Sequence, residues 1–253
     1  MKICVLIPTY NNDRSVCDVI DRILAEGEKV IVVNDGSTDT TGTKLLRYEG
    51  DSRVEVVSYT SNRGKGYALC RGFEKAMASG FDYVVTLDAD GQHLPTDVPR
   101  LKKALVQLLE QKAPKRGVMV VGCRNLKADG MPGSNTFANR FSNFWFCLQT
   151  LHRLPDTQSG FRIYDLKHLP DMRMLTDKYE CELELLVYSA WRRVTLVPVP
   201  VQVYYPPEGE RVSHFRFFAD FARISLLNTV LCIAAVFYGL PGMLIRKLMD
   251  LRK

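Results

Sequence analysis

Phe81-Asp82-Tyr83-Val84-Val85-Thr86-Leu87-Asp88-Ala89-Asp90-Gly91-Gln92-His93 is the stretch on which the reading of this chain turns. A segment of strand-forming residues ends on two carboxylates one residue apart, with an amide shortly after. Two carboxylates delivered by one strand end suit a hard divalent cation, which can hold a nucleotide pyrophosphate and neutralise the charge on a departing phosphate. Taken alone, Asp-x-Asp is also a common acidic turn, so its meaning depends on its surroundings.

On both sides of that stretch, short β-rich runs alternate with helical patterns. Strands are expected over 3–8, 30–33, 54–58, 83–87 and 118–122, with helices over 14–25, 40–48, 66–79 and 96–111. Such alternation predicts an α/β fold, a mostly parallel sheet flanked by crossover helices. Residues 125–135, rich in Gly, Pro and polar side chains, read as a loop beside the strand ends. A helix over 136–151 spaces Phe137, Phe141, Phe144, Trp145, Leu148 and Leu151 for one apolar face, suited to a core or to a membrane. A helix over 179–191 and a strand over 195–203 close the sheet.

With 253 residues, 46% hydrophobic and 25% charged, the chain has room for one large α/β domain or a domain with an appendage. Its seven cysteines are scattered, without a CxxC pair or a histidine at metal spacing, so buried thiols in a reducing compartment are expected rather than zinc. The opening residues are strand-like and lack a small-residue cleavage site, so no secretory signal is expected and the catalytic part belongs on the cytosolic side. Net charge is +6, and residues 208–253 hold seven basic against four acidic residues, which points to an anionic partner. The bases are not interleaved with aromatics in a nucleic-acid-binding pattern, so membrane lipid is expected and nucleic acid is not.

Residues 226–245 carry no charge, although Gly239-Leu240-Pro241-Gly242 is expected to break the stretch after about thirteen residues. A bilayer crossing, an interfacial helix and a helix packed on the core all remain open. The chain is expected to divide into a catalytic domain, 1–207, and a membrane-associated segment, 208–253.

In a parallel sheet, ligands bind outside the carboxyl ends of the strands. Four elements are expected there: Ile7-Pro8-Thr9-Tyr10-Asn11-Asn12, Val33-Asn34-Asp35-Gly36-Ser37-Thr38-Asp39, Asn62-Arg63-Gly64-Lys65-Gly66-Tyr67-Ala68, and the Asp88 turn itself. Asp35 can accept from a base N–H or a ribose hydroxyl, and Asp39 reads equally as a ligand or as a helix cap. Two glycines around Lys65 let backbone amides and a cation approach phosphate, without Walker or GxGxxG spacing.

In that order, Ile-Pro-Thr-Tyr-Asn, Asn-Asp-Gly-Ser-x-Asp, Asn-x-Gly-Lys-Gly, Asp-Ala-Asp-Gly-Gln and the later Ser159-Gly160-Phe161-Arg162 resemble the motif set of family 2 inverting glycosyltransferases with the GT-A fold, over roughly residues 3 to 205. Asp156 to Tyr164 is similar to a segment of the polyprenyl-phosphate, dolichyl-phosphate mannose synthase-like branch. The resemblance implies a nucleotide-sugar pocket at Pro8, Thr9, Tyr10, Asn12, Asp35, Asp39, Lys65, Gly66, Asp88 and Ala89, with Mg²⁺ or Mn²⁺ on Asp88, Asp90 and Gln92. It implies that Arg162 helps place the acceptor phosphate, a buried structural arginine paired with a nearby carboxylate being the alternative, with Arg211 and Ser213 near that phosphate and His214 where lysine is typical. Glu182, in a stretch resembling the family's Phe-Glu-x-Glu-Leu helix, is implied near the donor sugar.

The expected activity moves a sugar from a GDP- or UDP-sugar to a lipid acceptor, polyprenyl phosphate first. A phosphate acceptor is already anionic and needs alignment rather than a strong base, whereas a hydroxyl acceptor would need Asp156 or Glu182 to take its proton. Transfer to a saccharide or glycolipid hydroxyl, and a non-catalytic nucleotide-sugar or membrane-binding module, are the competing expectations.

Overall fold

Strand β1 (Ile3–Thr9) is buried along all but its first residue, and β2 (Val30–Asp35) along its whole length, as expected of strands covered on both faces. The computed structural model describes residues 1–111, 114–125, 133–169, 176–178, 180–204 and 217–251. Among these, β1 and β2 join β3 (Val54–Tyr59), β4 (Tyr83–Thr86), β5 (Val118–Arg124), β6 (Arg162–Asp165) and β7 (Thr195–Val201) in one sheet of order β3-β2-β1-β4-β6-β5-β7.

Period-two alternation sends successive side chains to opposite faces. Val5, Ile7, Val32 and Val85 pack against α1 (Val16–Ala25) and α4 (Val98–Gln111) through Ile20, Ile23, Leu101 and Leu105. Cys4, Leu6, Ile31 and Val84 face α3 (Lys65–Ala78) and α6 (Cys181–Trp191) through Leu69, Phe73, Leu185 and Leu186. Each large side chain so buried contributes roughly 1.5–3 kcal/mol. Two further helices, α2 (Thr41–Leu45) and α5 (Gly133–Thr150), follow β2 and β5.

The strand order reverses at β1, which pairs in parallel with β2 on one side and β4 on the other. The ligand crevice of such a sheet lies at the carboxyl ends of those central strands. The expected α/β, mostly parallel architecture is the one observed, with one addition. β6, not read as a strand in the sequence, inserts antiparallel between β4 and β5, with Thr86 opposite Arg162. Because it runs backwards, β6 begins where β4 ends. The residues before it, Ser159-Gly160-Phe161, are thereby delivered beside Asp88, and the Thr86 hydroxyl donates to the Gly160 carbonyl at 2.6 Å.

The expected break at 239–242 does not occur. A helix runs from α7 (Phe217–Ala234) through one π turn (Ala235–Gly239) into α8 (Leu240–Leu251). Leu227, Leu231, Ala235 and Gly239 are buried at i+4 spacing. An α-helix of 3.6 residues per turn rotates such a row by about 40° at each step, and the wider π turn cancels the drift. The turn keeps Gly239 against Trp191, where an added Cβ would stand 2.3 Å from Cε2.

Candidate active site

Helix α3 opens after Gly64, whose φ of +96° is left-handed backbone that favours glycine. The Gly66 N–H donates to the Asp177 carbonyl at 2.8 Å, which ties this turn to the segment before α6. Lys65, the first residue of α3, extends its ammonium to Asp88 Oδ1 at 2.6 Å and Glu182 Oε2 at 2.9 Å. Burial works against the charge on Lys65, but the two carboxylates outweigh it and hold the amine well above its ordinary range. Burial likewise opposes ionisation of Asp88, and Lys65 overcomes it, keeping that carboxyl below the usual range. Glu182 Oε1 is buried and has no hydrogen-bond partner among the described residues. Gly160 leaves room for this cluster: a Cβ there would lie 2.8 Å from Glu182 Oε1 and 3.1 Å from both Asp88 Oδ2 and Lys65 Nζ.

The turn after Asp88 is fastened from three sides. Asp90 Oδ1 accepts the Gln92 N–H at 2.9 Å, the Ser15 hydroxyl donates to the Ala89 carbonyl at 2.6 Å, and the Tyr204 N–H donates to the Gln92 carbonyl at 2.9 Å. Burial and the neighbouring Asp88 carboxylate push Asp90 up to about 6. Among the described residues no three His, Cys, Asp or Glu side chains gather closely enough to enclose a metal unaided. Two carboxylates and an amide instead fit a cation that completes its shell with phosphate oxygens and water. Burial first and the Asp88 charge second make the raised Asp90 a group that such a cation would stabilise as its anion. His93, buried and 5.3 Å from the Phe161 ring, is pushed down to about 4 by burial and is therefore neutral at pH 7.

The loops after β1 and β2 are sewn together along the crevice. The Asn11 N–H donates to Ser37 Oγ at 3.0 Å, the Thr38 N–H to Asn11 Oδ1 at 2.8 Å, and the Asn12 N–H to Thr41 Oγ1 at 3.0 Å. Asn12 Nδ2 also donates to the buried Thr9 hydroxyl at 3.3 Å. Pro8 is buried at the end of β1, and Tyr10 is partly exposed just beyond it. Asp39, one residue before the N-cap Thr40, accepts the Thr41 N–H at 2.9 Å across the opening of α2.

Asp35, expected at the nucleoside, is joined to the Lys65 turn. Its buried carboxylate accepts from the Arg63 N–H at 2.7 Å, the Gly64 N–H at 2.9 Å and Asn62 Nδ2 at 3.0 Å, so it holds the Lys65 turn in place.

Asp156, expected as an alternative base, is fully enclosed. It accepts from Arg124 Nε at 2.6 Å, Arg124 Nη2 at 3.0 Å, Asn139 Nδ2 and the Gln158 N–H. Burial would raise this carboxyl, but the hydrogen bonds from Arg124 keep it below the usual range. Arg162 is also fully buried, and its guanidinium donates to the carbonyls of Ser159 at 2.8 Å, Thr157 at 2.9 Å and Glu182 at 2.6 Å. Of the two expectations for Arg162, the geometry is that of a structural arginine whose partners are carbonyls. It clamps the loop carrying Gly160 to the helix carrying Glu182. Arg211 and Ser213 lie outside the described residues.

Arg124 and Asn139 are the site residues the sequence reading missed. Arg124 ends β5, so the strand-end argument applied to the first four elements would also have found it. Asn139 carried no signal.

Comparison with known proteins bears on what this arrangement belongs to. The model for glycosyl transferase family 2 matches residues 4–113. The chain is 30% identical over 209 residues to an uncharacterized protein of Methanocaldococcus jannaschii, covering 81% of this chain and 82% of that one. The chain belongs to glycosyl transferase family 2.

It is also 30% identical over 210 residues to the glycosyltransferase AglJ of Haloferax volcanii, matching 82% of this chain but only 64% of that longer protein. With an undecaprenyl-phosphate mannosyltransferase of Micrococcus luteus it shares 28% identity, over 83% of this chain and 86% of the other. Among solved structures, glucosyl-3-phosphoglycerate synthase of Mycobacterium tuberculosis, in complex with Mn²⁺, UDP-glucose and phosphoglyceric acid, superposes with a TM-score of 0.63 at 22% identity, covering 92% of this chain and 79% of that one. That likeness shows a shared fold.

Proposed function

We propose that this chain is a metal-dependent, inverting glycosyltransferase that moves a sugar from a GDP- or UDP-sugar to polyprenyl phosphate at the cytoplasmic face of a membrane. The observation that carries the reading is the state of its carboxylates. Asp88 and Asp90 stand together at the reversal point of the sheet, while Asp156 is saturated by Arg124 and Glu182 is engaged by Lys65. A hydroxyl acceptor needs a carboxylate at hand to take its proton, and Asp156 is enclosed by its partners while Glu182 is paired with Lys65. An acceptor phosphate already carries its charge and needs only alignment.

When bound at Asp88, Asp90 and Gln92, Mg²⁺ or Mn²⁺ would neutralise the nucleotide diphosphate as it leaves. The protein's own contribution is positional and electrostatic. Asp35 and the Asp177 carbonyl take up the Arg63, Gly64 and Gly66 N–H groups and so hold the turn that presents the Lys65 ammonium to the phosphates, and Thr9, Tyr10 and Asn12 border the nucleoside side of the crevice. Attack on C1 by the acceptor from the face opposite the nucleotide inverts that centre in one displacement. The name of the Micrococcus relative supports the acceptor class, and the Mn²⁺ and UDP-glucose of the mycobacterial structure support the metal and the donor class.

The test is a panel of GDP- and UDP-sugars supplied with polyprenyl phosphate or the matching polyprenol, with and without Mn²⁺. One donor is expected to label the phosphate lipid alone, only with metal, and Asp90→Ala is expected to abolish labelling. Labelling of the polyprenol, lost on Asp156→Asn, would transfer the assignment to a hydroxyl acceptor.

A further inference from the structure

The helix formed by α7, the π turn and α8 is held to the rest of the protein at both of its ends. Near its start, Arg223 Nε lies 3.3 Å from Glu180 Oε1, and Gln149 Nε2 on α5 donates to Asn228 Oδ1 at 3.0 Å. Midway, Gly239 sits on the Trp191 ring. Near its end, Asp250 pairs with Arg116 and Arg193, each at 2.9 Å. At about 1.5 Å per residue, Arg223 and Asp250 are roughly 40 Å apart along the axis. A helix crossing a bilayer must carry one end about 30 Å away from the domain, through hydrocarbon. Residues 222–250 are long and apolar enough to do so by composition, yet the two ends of this helix grip the same body.

Its outward face is apolar along its length. Leu226, Val230, Ile233, Phe237, Leu244 and Leu248 are exposed, Phe237 by 81%. Helix α5, its neighbour through Gln149, repeats the pattern with Phe137, Phe144, Leu148 and, just past its end, Leu151, all exposed. The inner side of α5 carries Asn139, which donates to Asp156 in the site. Residues 133–155 and 221–249 contain no Asp or Glu, while Arg140, Arg153 and Lys247 are exposed among them. Two copies of such a face would oppose charges of one sign, whereas anionic headgroups complement them.

We propose that α5 and the α7–α8 helix lie flat, side by side, in the headgroup region of an anionic bilayer and do not cross it. Apolar side chains sink into the acyl boundary while the flanking bases meet lipid phosphates. The consequence that a lipid-linked phosphate arrives beside Asp156 rests on the polyprenyl-phosphate reading, whereas the flat docking does not.

The full chain is mixed with phosphatidylcholine vesicles, with and without phosphatidylglycerol, in the absence of donor and acceptor. Flotation is expected only with the anionic lipid. Tryptophan is placed singly at Leu226, Phe237 and Leu248, and quenching is read with lipids brominated near the headgroup or near the bilayer centre. Equal, shallow quenching at all three positions is expected. Deep quenching at 237 flanked by shallow quenching at 226 and 248 would overturn the proposal in favour of a spanning helix. Failure to float, with a dimer in sedimentation that Phe237→Glu dissociates, would overturn it in favour of a second copy. Phe237→Glu is expected to weaken vesicle binding tenfold or more while leaving transfer to a short-chain acceptor in detergent unchanged. Because flotation is measured without substrates, loss of transfer alone would count against the functional reading and not against the docking.

Discussion

Lys65 Nζ lies 2.6 Å from Asp88 Oδ1, so the carboxylate at the end of β4 is neutralised by the first residue of α3. Glu182 shares the same ammonium at 2.9 Å. The turn after β4 and the first turn of α6 are therefore joined by one positive charge, placed by a turn that Asp35 holds.

Removing that charge leaves two carboxylates facing each other, Glu182 buried and Asp88 half-buried. Breaking a buried ion pair by deleting one partner costs about 3–5 kcal/mol. Lys65→Met is expected to lose stability on that scale in urea titration, and Lys65→Met combined with Glu182→Gln is expected to recover part of it. Independent, additive losses in the double variant would contradict the shared charge.

Gly160→Ala tests the space behind the cluster. Its Cβ would stand 2.8 Å from Glu182 Oε1, closer than carbon and oxygen tolerate, so the carboxylates must shift. A displacement of this kind lowers turnover by about a hundredfold when alignment governs the rate. Circular dichroism is expected to stay unchanged. Full activity in this variant would show that the cluster is not the reacting region.

Acidity at Asp90 sets a window for metal binding. Its carboxyl is raised to about 6, so at the proposed metal site a proton would compete with a cation below that value. Mn²⁺ affinity, measured by calorimetry on the nucleotide complex, is expected to be flat above pH 7 and to fall by up to tenfold per unit below about pH 6. Without metal the sign is opposite for folding: the native state binds more protons than the unfolded one between about pH 4 and 6, so stability falls as pH rises through that interval. Asp90→Asn is expected to remove both dependences.

The pair formed by Arg124 and Asp156 has the reverse sign. Asp156 is held below its ordinary value in the folded protein, so its contribution is complete above about pH 4 and disappears as pH falls further. Arg124→Met is expected to cost about 3–5 kcal/mol at pH 7, the scale for an uncompensated buried charge. The gap from the unmodified protein should narrow as the buffer approaches pH 3. A constant gap across that range would mean that Arg124 acts through packing instead of charge.

Most of the sheet was legible because its parallel strands, bounded by turn residues, alternate with long amphipathic helices such as 98–111. β6 escaped because Arg162-Ile163-Tyr164-Asp165 is four residues long, too short for a periodic signal, and its arginine looked like a ligand. The π turn escaped for another reason. Gly239 and Pro241 ordinarily end a helix, and nothing local announces that Trp191, far away in sequence, needs a flat surface there. Within the site, Asp88, Asp90 and Lys65 were legible as strand-end and turn residues, whereas the enclosure of Arg162 and Asp156 depends on carbonyls and side chains that meet only after β6 inserts.

That insertion also limits how the gene could be cut. The family-matched segment 4–113 ends before β5 and β6, so on its own it would present β4 as a bare edge with unpaired N–H and C=O groups. Expressed alone, it should self-associate through that edge, and the later half would have lost the strand it clasps. The two halves of this chain are thus not interchangeable cassettes, since the thread that completes the first belongs to the second.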